Sequence, residues 1–161
     1  MKLENTVRML SRRDAAAFAQ RLRDAGKQVV FTNGVFDLVH PGHVRYLQEA
    51  RSLGDALIVG VNADESVRRN KGEGRPVTPA GERAELVAAL ACVDAVTVFG
   101  EDTPADVIRA IQPDVLVKGA DWAADQIVGR DTVEARGGRV VRIAVEEGYS
   151  TTALLDKIRA R

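Results

Sequence analysis

The sequence predicts a three-layer α/β sandwich in which helices cover both faces of a five-stranded parallel sheet. Short apolar runs alternate with helical stretches along the chain, which is the pattern of strand–helix–strand units with right-handed crossovers. Most of the apolar runs are continuous rather than alternating, as expected of strands that are covered on both faces. The chain has 161 residues, which suits one domain, so we expect 1–161 to form it with 1–10 as an N-terminal extension.

Five apolar segments are predicted to be the strands of this sheet. They are short, rich in β-branched residues and bounded by turn residues. In chain order they span residues 29–33, 56–61, 95–99, 115–117 and 139–143. A helical stretch separates each segment from the next, and such crossovers join parallel rather than antiparallel strands.

Capping and stop signals predict the helices. Ser11 begins a capping-box pattern with Asp14 in place of glutamate, and the Ala-rich helix that follows should end near Gly26. Gly54 is the expected stop of the second helix. Pro79 suits the first turn of a helix that starts at residue 78. The inward face of that helix is predicted to carry Leu86, Val87 and Leu90. The other helices are predicted over residues 42–53, 64–69, 103–111, 125–136 and 151–160.

Composition excludes several classes of protein. Hydrophobic residues make up 45% and charged residues 29% of the chain, which are ordinary values for a globular protein. The formal net charge is zero, so the chain lacks the basic excess of a nucleic-acid binder. No apolar stretch approaches the roughly 18 residues of a membrane span, and the N-terminus does not resemble a signal peptide. Cys92 is the single cysteine, which excludes an internal disulfide and fits a cytoplasmic location.

Both histidines lie in one four-residue run, His40-Pro41-Gly42-His43. Imidazole is well suited to hydrogen-bond a phosphate near neutral pH, and glycine lets a backbone approach a ligand closely. A helix is predicted to start here, just past the first strand, and helix N-termini attract anions. The run therefore predicts an anion site, whereas the alternative is a pair of surface histidines on a turn.

Other polar residues also follow the predicted strands at their carboxyl ends. Open parallel sheets bind ligands at this edge, near the point where the strand order reverses. The residues concerned are Thr32, Asn33, Gly34, Asn62, Asp64, Lys118 and Asp121. The chain has neither a dinucleotide-binding glycine fingerprint nor a Gly-Lys-Ser/Thr phosphate loop. A phosphate site would therefore be built from strand ends, a helix start and imidazole.

At this point two segments resemble a known family. The segment from Thr32 to His43 resembles the His-x-Gly-His signature of the cytidylyltransferase-like nucleotidyltransferases. Near the other end of the chain, Glu147-Gly148-Tyr149-Ser150-Thr151-Thr152 is similar to the Ser-Thr-Thr motif of the same superfamily. The resemblance implies a Rossmann-like fold of the nucleotidyltransferase type that binds a nucleoside triphosphate.

Segments 61–67, 71–77 and 114–121 resemble the adenylyltransferases of ADP-heptose synthesis, which often form the C-terminal half of a protein with a sugar kinase. This resemblance covers nearly the whole chain. It implies that ATP and D-glycero-β-D-manno-heptose 1-phosphate give ADP-heptose and pyrophosphate for the lipopolysaccharide core. It also implies a separate heptose kinase and Mg²⁺ that accompanies ATP. One departure is Val35, which stands where the family pattern leads us to expect cysteine.

The resemblance and the chemistry of the side chains assign roles to residues. His40 and His43 would donate hydrogen bonds to the ATP phosphates, and Lys71 would bring mobile positive charge near the α-phosphate. Nucleotide binding is further assigned to Thr32, Asn33, Gly34, Phe36, Gly42, Lys118, Gly119, Asp121, Ser150, Thr151 and Thr152. Substrate binding is assigned to Asp37, Asn62, Asp64, Lys71 and Arg75. No side-chain cluster suggests a metal site, so Mg²⁺ is expected through the phosphates, with Asp37 as one candidate contact.

Several of these assignments have a purely structural alternative. The run 150–152 could be only a helix cap, and Lys71 and Arg75 could belong to a solvated loop. Asp37 could cap a turn, and Asp64 could cap a helix.

The roles of two further residues each have two alternatives. Trp122 is either a packing anchor or a platform on which a base stacks. Arg83 either reaches nucleotide phosphates or forms a surface ion pair with Glu82 or Glu85.

The sequence also permits functions other than heptose-phosphate adenylyl transfer. A glycerol-3-phosphate or ethanolamine-phosphate cytidylyltransferase would carry the same motifs, because a few hydrogen bonds select the nucleobase. A catalytically idle nucleotide-binding module would have the same fold. The apolar helix faces fit a homodimer and the core of a monomer equally well.

Overall fold

A single sheet of five parallel strands organises the chain. The computed structural model describes residues 9–161. The strands are β1 (Val29–Gly34), β2 (Ala56–Asn62), β3 (Ala95–Phe99), β4 (Val115–Gly119) and β5 (Arg139–Ile143). Their order across the sheet is β3-β2-β1-β4-β5. The predicted five-stranded parallel sheet is therefore confirmed.

The order in which strands are added to the sheet reverses between β1 and β4. From β1 the chain adds β2 and then β3 on one side, with Val29 beside Ala56 and Ile58 beside Ala95. It then crosses to the other side, where Val30 of β1 lies beside Val115 of β4. The carboxyl ends of β1 and β4 consequently diverge into loops at the point where open α/β sheets form a ligand crevice.

Seven helices join and cover the strands among the described residues. They are α1 (Arg12–Asp24), α2 (Pro41–Arg51), α3 (Asp64–Lys71), α4 (Ala80–Ala88), α5 (Ala105–Ile111), α6 (Arg130–Glu134) and α7 (Thr151–Arg159), with a 3₁₀ turn at Ala124–Gln126. Ser11 caps α1 as predicted, because its hydroxyl accepts the Asp14 N–H at 3.1 Å. No helix among residues 9–161 has the length and apolar character that crossing a bilayer requires.

The core consists of one apolar cluster on each face of the sheet. Alternation along β1 sends Val30 into one cluster and Phe31 into the other. The first cluster includes Leu47 of α2 and Val87 of α4. The second includes residues of α1, α5 and α6, among them Ile108. Helices thus cover both faces, and the predicted three-layer sandwich is confirmed.

The structure corrects the predicted inward face of α4. Leu86 is 53% exposed, whereas Arg83, Ala84 and Val87 are buried. Residues 83, 87 and 84 span about 100° of the helix circumference, and residue 86 lies on the far side of 83, outside this stripe. The inward face is therefore rotated toward Ala84, with Arg83 in it and Leu86 at its exposed margin.

Two helix ends also differ from the prediction. Helix α2 ends at Arg51 with Ser52 as its cap, and Gly54 lies instead against β1. A Cβ at Gly54 would lie only 2.7 Å from Cγ2 of Val30, so this glycine is required for close packing. The helix predicted over 125–136 is split into the 3₁₀ turn and α6, with Gly129 in a left-handed conformation between them.

Part of the predicted N-terminal extension lies outside the described residues, namely residues 1–8. The remaining part joins the sheet edge. Met9 bridges to Val96 in parallel, and the Leu10 N–H donates to the Val96 carbonyl at 2.8 Å.

Candidate active site

A cavity of about 1120 Å³ opens at the carboxyl edge of the sheet. Small-molecule pockets typically measure about 300–1,000 Å³, so this one has room for a nucleotide and a second ligand together. Sixteen predicted site residues line it: Asn33, Gly34, Phe36, Asp37, His40, Gly42, His43, Asn62, Lys71, Arg75, Lys118, Gly119, Asp121, Ser150, Thr151 and Thr152. Thr32 and Asp64 are predicted site residues that do not line it.

The two histidines form a reciprocal cap at the start of α2. Nδ1 of His40 accepts the His43 N–H at 3.3 Å, and Nδ1 of His43 accepts the His40 N–H at 3.4 Å. The two rings stack with centroids 3.7 Å apart. Because each Nδ1 is an acceptor, the proton of each neutral ring lies on Nε2. Both imidazoles are therefore prepared to donate a hydrogen bond from Nε2.

Burial keeps this pair neutral. It lowers the pKa of His43 to about 4, with a smaller contribution from His40 that outweighs the opposing effect of the Leu38 carbonyl. Burial likewise lowers the pKa of His40. At pH 7 the histidines are thus neutral hydrogen-bond donors rather than cations, and positive charge for a phosphate must come from elsewhere.

Phe36 precedes the histidines in a conformation that L-residues rarely adopt, with φ at 51°. Its ring packs edge-on against His43, with centroids 5.3 Å apart. Gly34 is needed beneath it, because a Cβ there would lie 3.0 Å from the Phe36 ring. The strained signature loop is therefore fitted closely around the histidine pair.

Asp37 holds a neighbouring loop rather than a ligand. Its buried carboxylate accepts the Val77 and Thr78 N–H groups and forms an ion pair with Arg75 at 2.8 Å. Burial would raise the pKa of Asp37, but these hydrogen bonds and the Arg75 charge outweigh burial and lower it. The carboxylate oxygens are already satisfied by these donors, which corrects its assignment to sugar or Mg²⁺. The Nε–H of Arg75 makes the pair, and its side chain still lines the cavity.

Arg83 is a fully buried link between three segments. Its guanidinium donates to the Val35 carbonyl at 2.6 Å, to the Thr78 carbonyl at 2.7 Å and to Asp64 at 2.7 Å. It reaches neither the cavity nor a surface pair with its helix neighbours, so both expectations for it are wrong. Asp64 is occupied by this ion pair, and its side chain does not cap α3.

Arg83→Met should lower the free energy of unfolding by about 3 kcal/mol, because two partly buried carbonyls lose their donor and the ion pair of a fully buried guanidinium is broken. For a chain of this size the melting temperature should fall by roughly 6–12 °C. Urea unfolding checks the first value and a thermal scan the second. The matched control is Arg109→Met, since Arg109 makes an exposed ion pair with Asp106 within α5. Equal stability of the two variants would contradict a structural role for Arg83.

Lys118 brings a buried cation to the cavity. Its ammonium donates to Oδ1 of Asn33, and no described carboxylate forms an ion pair with it. Burial lowers the pKa of Lys118 to about 8, so the side chain is still mostly protonated at pH 7. A buried charge without a counter-charge is costly unless a ligand supplies one. Lys118 therefore favours an anion in this part of the cavity.

Trp122 borders the same region. Its side chain is 51% exposed, and the Lys118 ammonium lies 5.8 Å from the centroid of its ring. The packing-anchor alternative is thus wrong, because the indole faces the cavity instead of the core.

The Ser-Thr-Thr run forms the start of α7. The Ser150 hydroxyl accepts the Ala153 N–H at 3.0 Å, so Ser150 is a helix cap. Thr151 and Thr152 open the helix beside the cavity. The first-turn N–H groups and hydroxyls at this end can bind an anion. Capping and ligand binding are compatible here, because a serine hydroxyl that accepts one hydrogen bond still has a proton to donate.

Three remaining residues complete the predicted set. Thr32 is buried, where its hydroxyl meets the Tyr46 hydroxyl at 2.8 Å and donates to the Val117 carbonyl at 2.9 Å; it ties β1 to β4 instead of touching a ligand. Asn62 donates to Ser66 at 3.3 Å while lining the cavity. Lys71 is exposed and is the last residue of α3, not part of the loop as predicted.

Several residues that line the cavity were not predicted from the sequence. Arg45, Glu49, Glu146 and Tyr149 are among them. A helical spacing signal was present for two, because residues 45 and 49 lie one turn apart on α2 close to the histidines. Tyr149 directly precedes the Ser-Thr-Thr run and Glu146 lies four residues before Ser150, but nothing in the sequence showed that they approach α2.

Comparison with known proteins shows the family to which this chain belongs. A family model described as Cytidylyltransferase-like matches residues 31–157, which include both motifs. Proteins named Bifunctional protein HldE are similar to the chain. The one from Citrifermentans bemidjiense is 56% identical over 138 residues, covering 86% of this chain and 28% of that protein. The one from Acidiphilium cryptum is 52% identical and covers 95% of this chain and 32% of that protein. The chain thus spans less than a third of the length of these relatives.

A solved structure is also similar. It is the crystal structure of the lipopolysaccharide core biosynthesis protein from Thermoplasma volcanium GSS1, which is 30% identical with a TM-score of 0.63. The match covers 78% of this chain and all of the other chain. Because the sheet, both motifs and the family match coincide, the resemblance read from the sequence is confirmed.

Proposed function

This chain belongs to the cytidylyltransferase-like family, and on that premise we propose that it is a nucleotidyltransferase that moves AMP from ATP to D-glycero-β-D-manno-heptose 1-phosphate. One observation carries the proposal. The neutral histidine pair at the start of α2 and the Ser-Thr-Thr run at the start of α7 face the same cavity, with Lys118 lining it too. Two helix starts and a buried cation suit a triphosphate.

The similarity to HldE proteins and to a lipopolysaccharide core biosynthesis protein supports a sugar phosphate as the acceptor. The products would be ADP-heptose and pyrophosphate, formed in the cytoplasm for the lipopolysaccharide core. A separate heptose kinase would supply the acceptor. The volume of the cavity supports simultaneous binding of both substrates.

The chemistry needs positioning more than base catalysis. The second pKa of a phosphate monoester is near 6, so roughly nine-tenths of the acceptor is already a dianion at pH 7. One of its oxygens would attack the α-phosphorus in line with the leaving group. A new P–O bond forms, the bond between the α-phosphorus and the bridging oxygen to the β-phosphorus breaks, and that oxygen leaves with pyrophosphate.

Residues of this chain would stabilise the charge that develops in that step. His40 and His43 donate from Nε2 to the phosphates, and Lys118 supplies positive charge. Thr151 and Thr152 bind the β- and γ-phosphates with the first-turn N–H groups of α7. No covalent intermediate is needed, and Val35 provides no nucleophile.

In our proposal Mg²⁺ is bound through the substrate and not by the side chains of residues 9–161. The described residues contain no cluster of three His, Cys, Asp or Glu that could hold a metal, and the oxygens of Asp37 are occupied. We therefore expect Mg²⁺ to enter with the ATP phosphates and assign it no protein ligand.

The test is pyrophosphate release in the presence of Mg²⁺. ATP or CTP is offered with heptose 1-phosphate, glycerol 3-phosphate or no acceptor. The expected result is release only with ATP and heptose 1-phosphate. Release with CTP and glycerol 3-phosphate would instead identify an alcohol-phosphate cytidylyltransferase. ATP binding by calorimetry with no release from any pair would identify an idle nucleotide-binding module.

A further inference from the structure

Three residues join the two helix starts at the cavity. We call Arg45, Glu146 and Tyr149 the Tyr149 cluster. Arg45 of α2 forms an ion pair with Glu146, and its guanidinium lies 5.4 Å from the centroid of the Tyr149 ring. The same ring stacks on His40, with centroids 6.0 Å apart and an interplanar angle of 21°. The cluster therefore bridges the histidine motif and the segment that leads into α7.

The Tyr149 cluster also brings the backbone of α2 close to Tyr149. A Cβ at Gly42 would lie 2.9 Å from Cβ of Tyr149 and 3.0 Å from the His40 ring. No side chain fits there, so the glycine of the His-x-Gly-His motif admits Tyr149 against the start of α2. The two sequence motifs thus meet at one contact, between Gly42 and the residue that precedes Ser150.

Core packing does little to hold α7. No residue of this helix is buried, and Ile158 is 65% exposed. Most helices in proteins are held in place by an apolar face that packs on the core. Because α7 has only half-buried leucines, the placement of its first turn must depend strongly on the contacts just before it.

We propose that Tyr149, braced by Arg45 and Glu146, is a positioning residue that sets the Ser-Thr-Thr helix start against the histidine pair. This inference rests on the proposed function, since it assigns the gap between the two helix starts to the phosphates of ATP. The aromatic ring of Tyr149 makes the contact with His40 and the cation–π contact with Arg45, and the Tyr149 hydroxyl adds a hydrogen bond with the Arg45 side chain. Because only the ring reaches His40, the ring carries the larger part of the effect.

The experiment compares the binding of ATP and AMP by calorimetry. AMP lacks the β- and γ-phosphates that the start of α7 would hold. Tyr149→Ala should weaken ATP binding by about tenfold and leave AMP binding within about twofold, since one charge-assisted contact is worth roughly that factor. Tyr149→Phe keeps the ring and loses only the hydroxyl contact with the exposed Arg45, so it should bind both nucleotides within about twofold of the wild type. Arg45→Ala should show a smaller loss confined to ATP.

Arg109→Ala is the matched control, because it removes an arginine from an exposed ion pair that does not line the cavity. If Tyr149→Ala melts at a lower temperature, Tyr149→Leu repeats the comparison with the bulk retained. Equal losses of ATP and AMP, or no loss of either, would overturn the inference. A wild type that binds ATP but releases no pyrophosphate would refute the proposed reaction alone, because the ATP-to-AMP comparison would still decide the role of Tyr149.

Discussion

Replacing His43 by asparagine should lower kcat for pyrophosphate release by a factor of about 10²–10³, the usual cost of one lost transition-state donor. Asparagine keeps an oxygen near the position of Nδ1 and so preserves the cap with His40. It has no donor at the position of Nε2. The loss should therefore appear in kcat, and the melting temperature should fall less than in a variant that also loses the capping acceptor, since the ring contacts with His40 and Phe36 are lost in either case.

Glutamine at the same position is the matched variant. It places an N–H near the position of Nε2 and loses the capping acceptor, so it should recover part of kcat while melting at a lower temperature. Steady-state kinetics and thermal scans on both variants check that His43→Asn has the lower kcat and His43→Gln the lower melting temperature. A His43→Asn enzyme with wild-type kcat, or a His43→Gln enzyme that is no more active than it, would show that Nε2 does not act in the reaction.

Lys118→Met should weaken ATP binding about 10- to 100-fold and make the protein more stable at pH 7. Binding loses a cation that no described carboxylate pairs with. Stability rises because methionine buries the same space without the cost of a charge. A gain on the order of 2 kcal/mol is expected from the lowered pKa of Lys118, or several degrees in melting temperature. Calorimetry and thermal scans measure the two effects.

The stability difference between the wild type and Lys118→Met should change with pH in a definite direction. The pKa of Lys118 is about 8 in the folded protein, below its ordinary value of 10.5, so the unfolded chain binds more protons between these pH values. Wild-type stability should therefore gain from this group as pH rises from 8 to 10.5, and the advantage of Lys118→Met should shrink. ATP binding to the wild type should weaken by about tenfold from pH 7 to 9 as the ammonium deprotonates.

Two further variants separate charge from other effects. Lys118→Arg keeps a cation that does not titrate below pH 12 and should bind ATP without this pH dependence. Lys27→Met is the surface control, because Lys27 is exposed and precedes β1 at the opposite edge of the sheet. A Lys118→Met protein that binds ATP as tightly as the wild type would exclude Lys118 from the nucleotide site.

Much of the fold could be predicted because it depends on local patterns. Strands β3 and β5 begin and end where the apolar runs do, and Ser11 caps α1. These features follow from periodicity and from hydrogen bonds within a few residues. The gathering of strand-end residues into one cavity also followed, because the carboxyl ends of parallel strands share an edge.

Charged residues inside the fold were predicted less well. Asp37 and Asp64 were assigned to substrate, yet the oxygens of Asp37 are taken by donors of the protein and Asp64 pairs with Arg83 outside the cavity lining. Arg83 was expected to lie at the surface or near a phosphate and is instead a fully buried side chain that donates hydrogen bonds to three partly buried groups. A charged side chain is usually exposed, and sequence spacing does not reveal which distant backbone groups will satisfy it.

The sequence by itself determined the α/β class, the parallel sheet and the two motifs with their order along the chain. Local hydrogen bonding and apolar periodicity encode these features, and both are visible within short segments. Only the tertiary structure decided which polar groups face the cavity and which form hydrogen bonds and ion pairs within the protein. That division depends on long-range partners, such as Arg83 with Val35 and Tyr149 with Gly42, whose meeting is fixed by the packing of the whole domain.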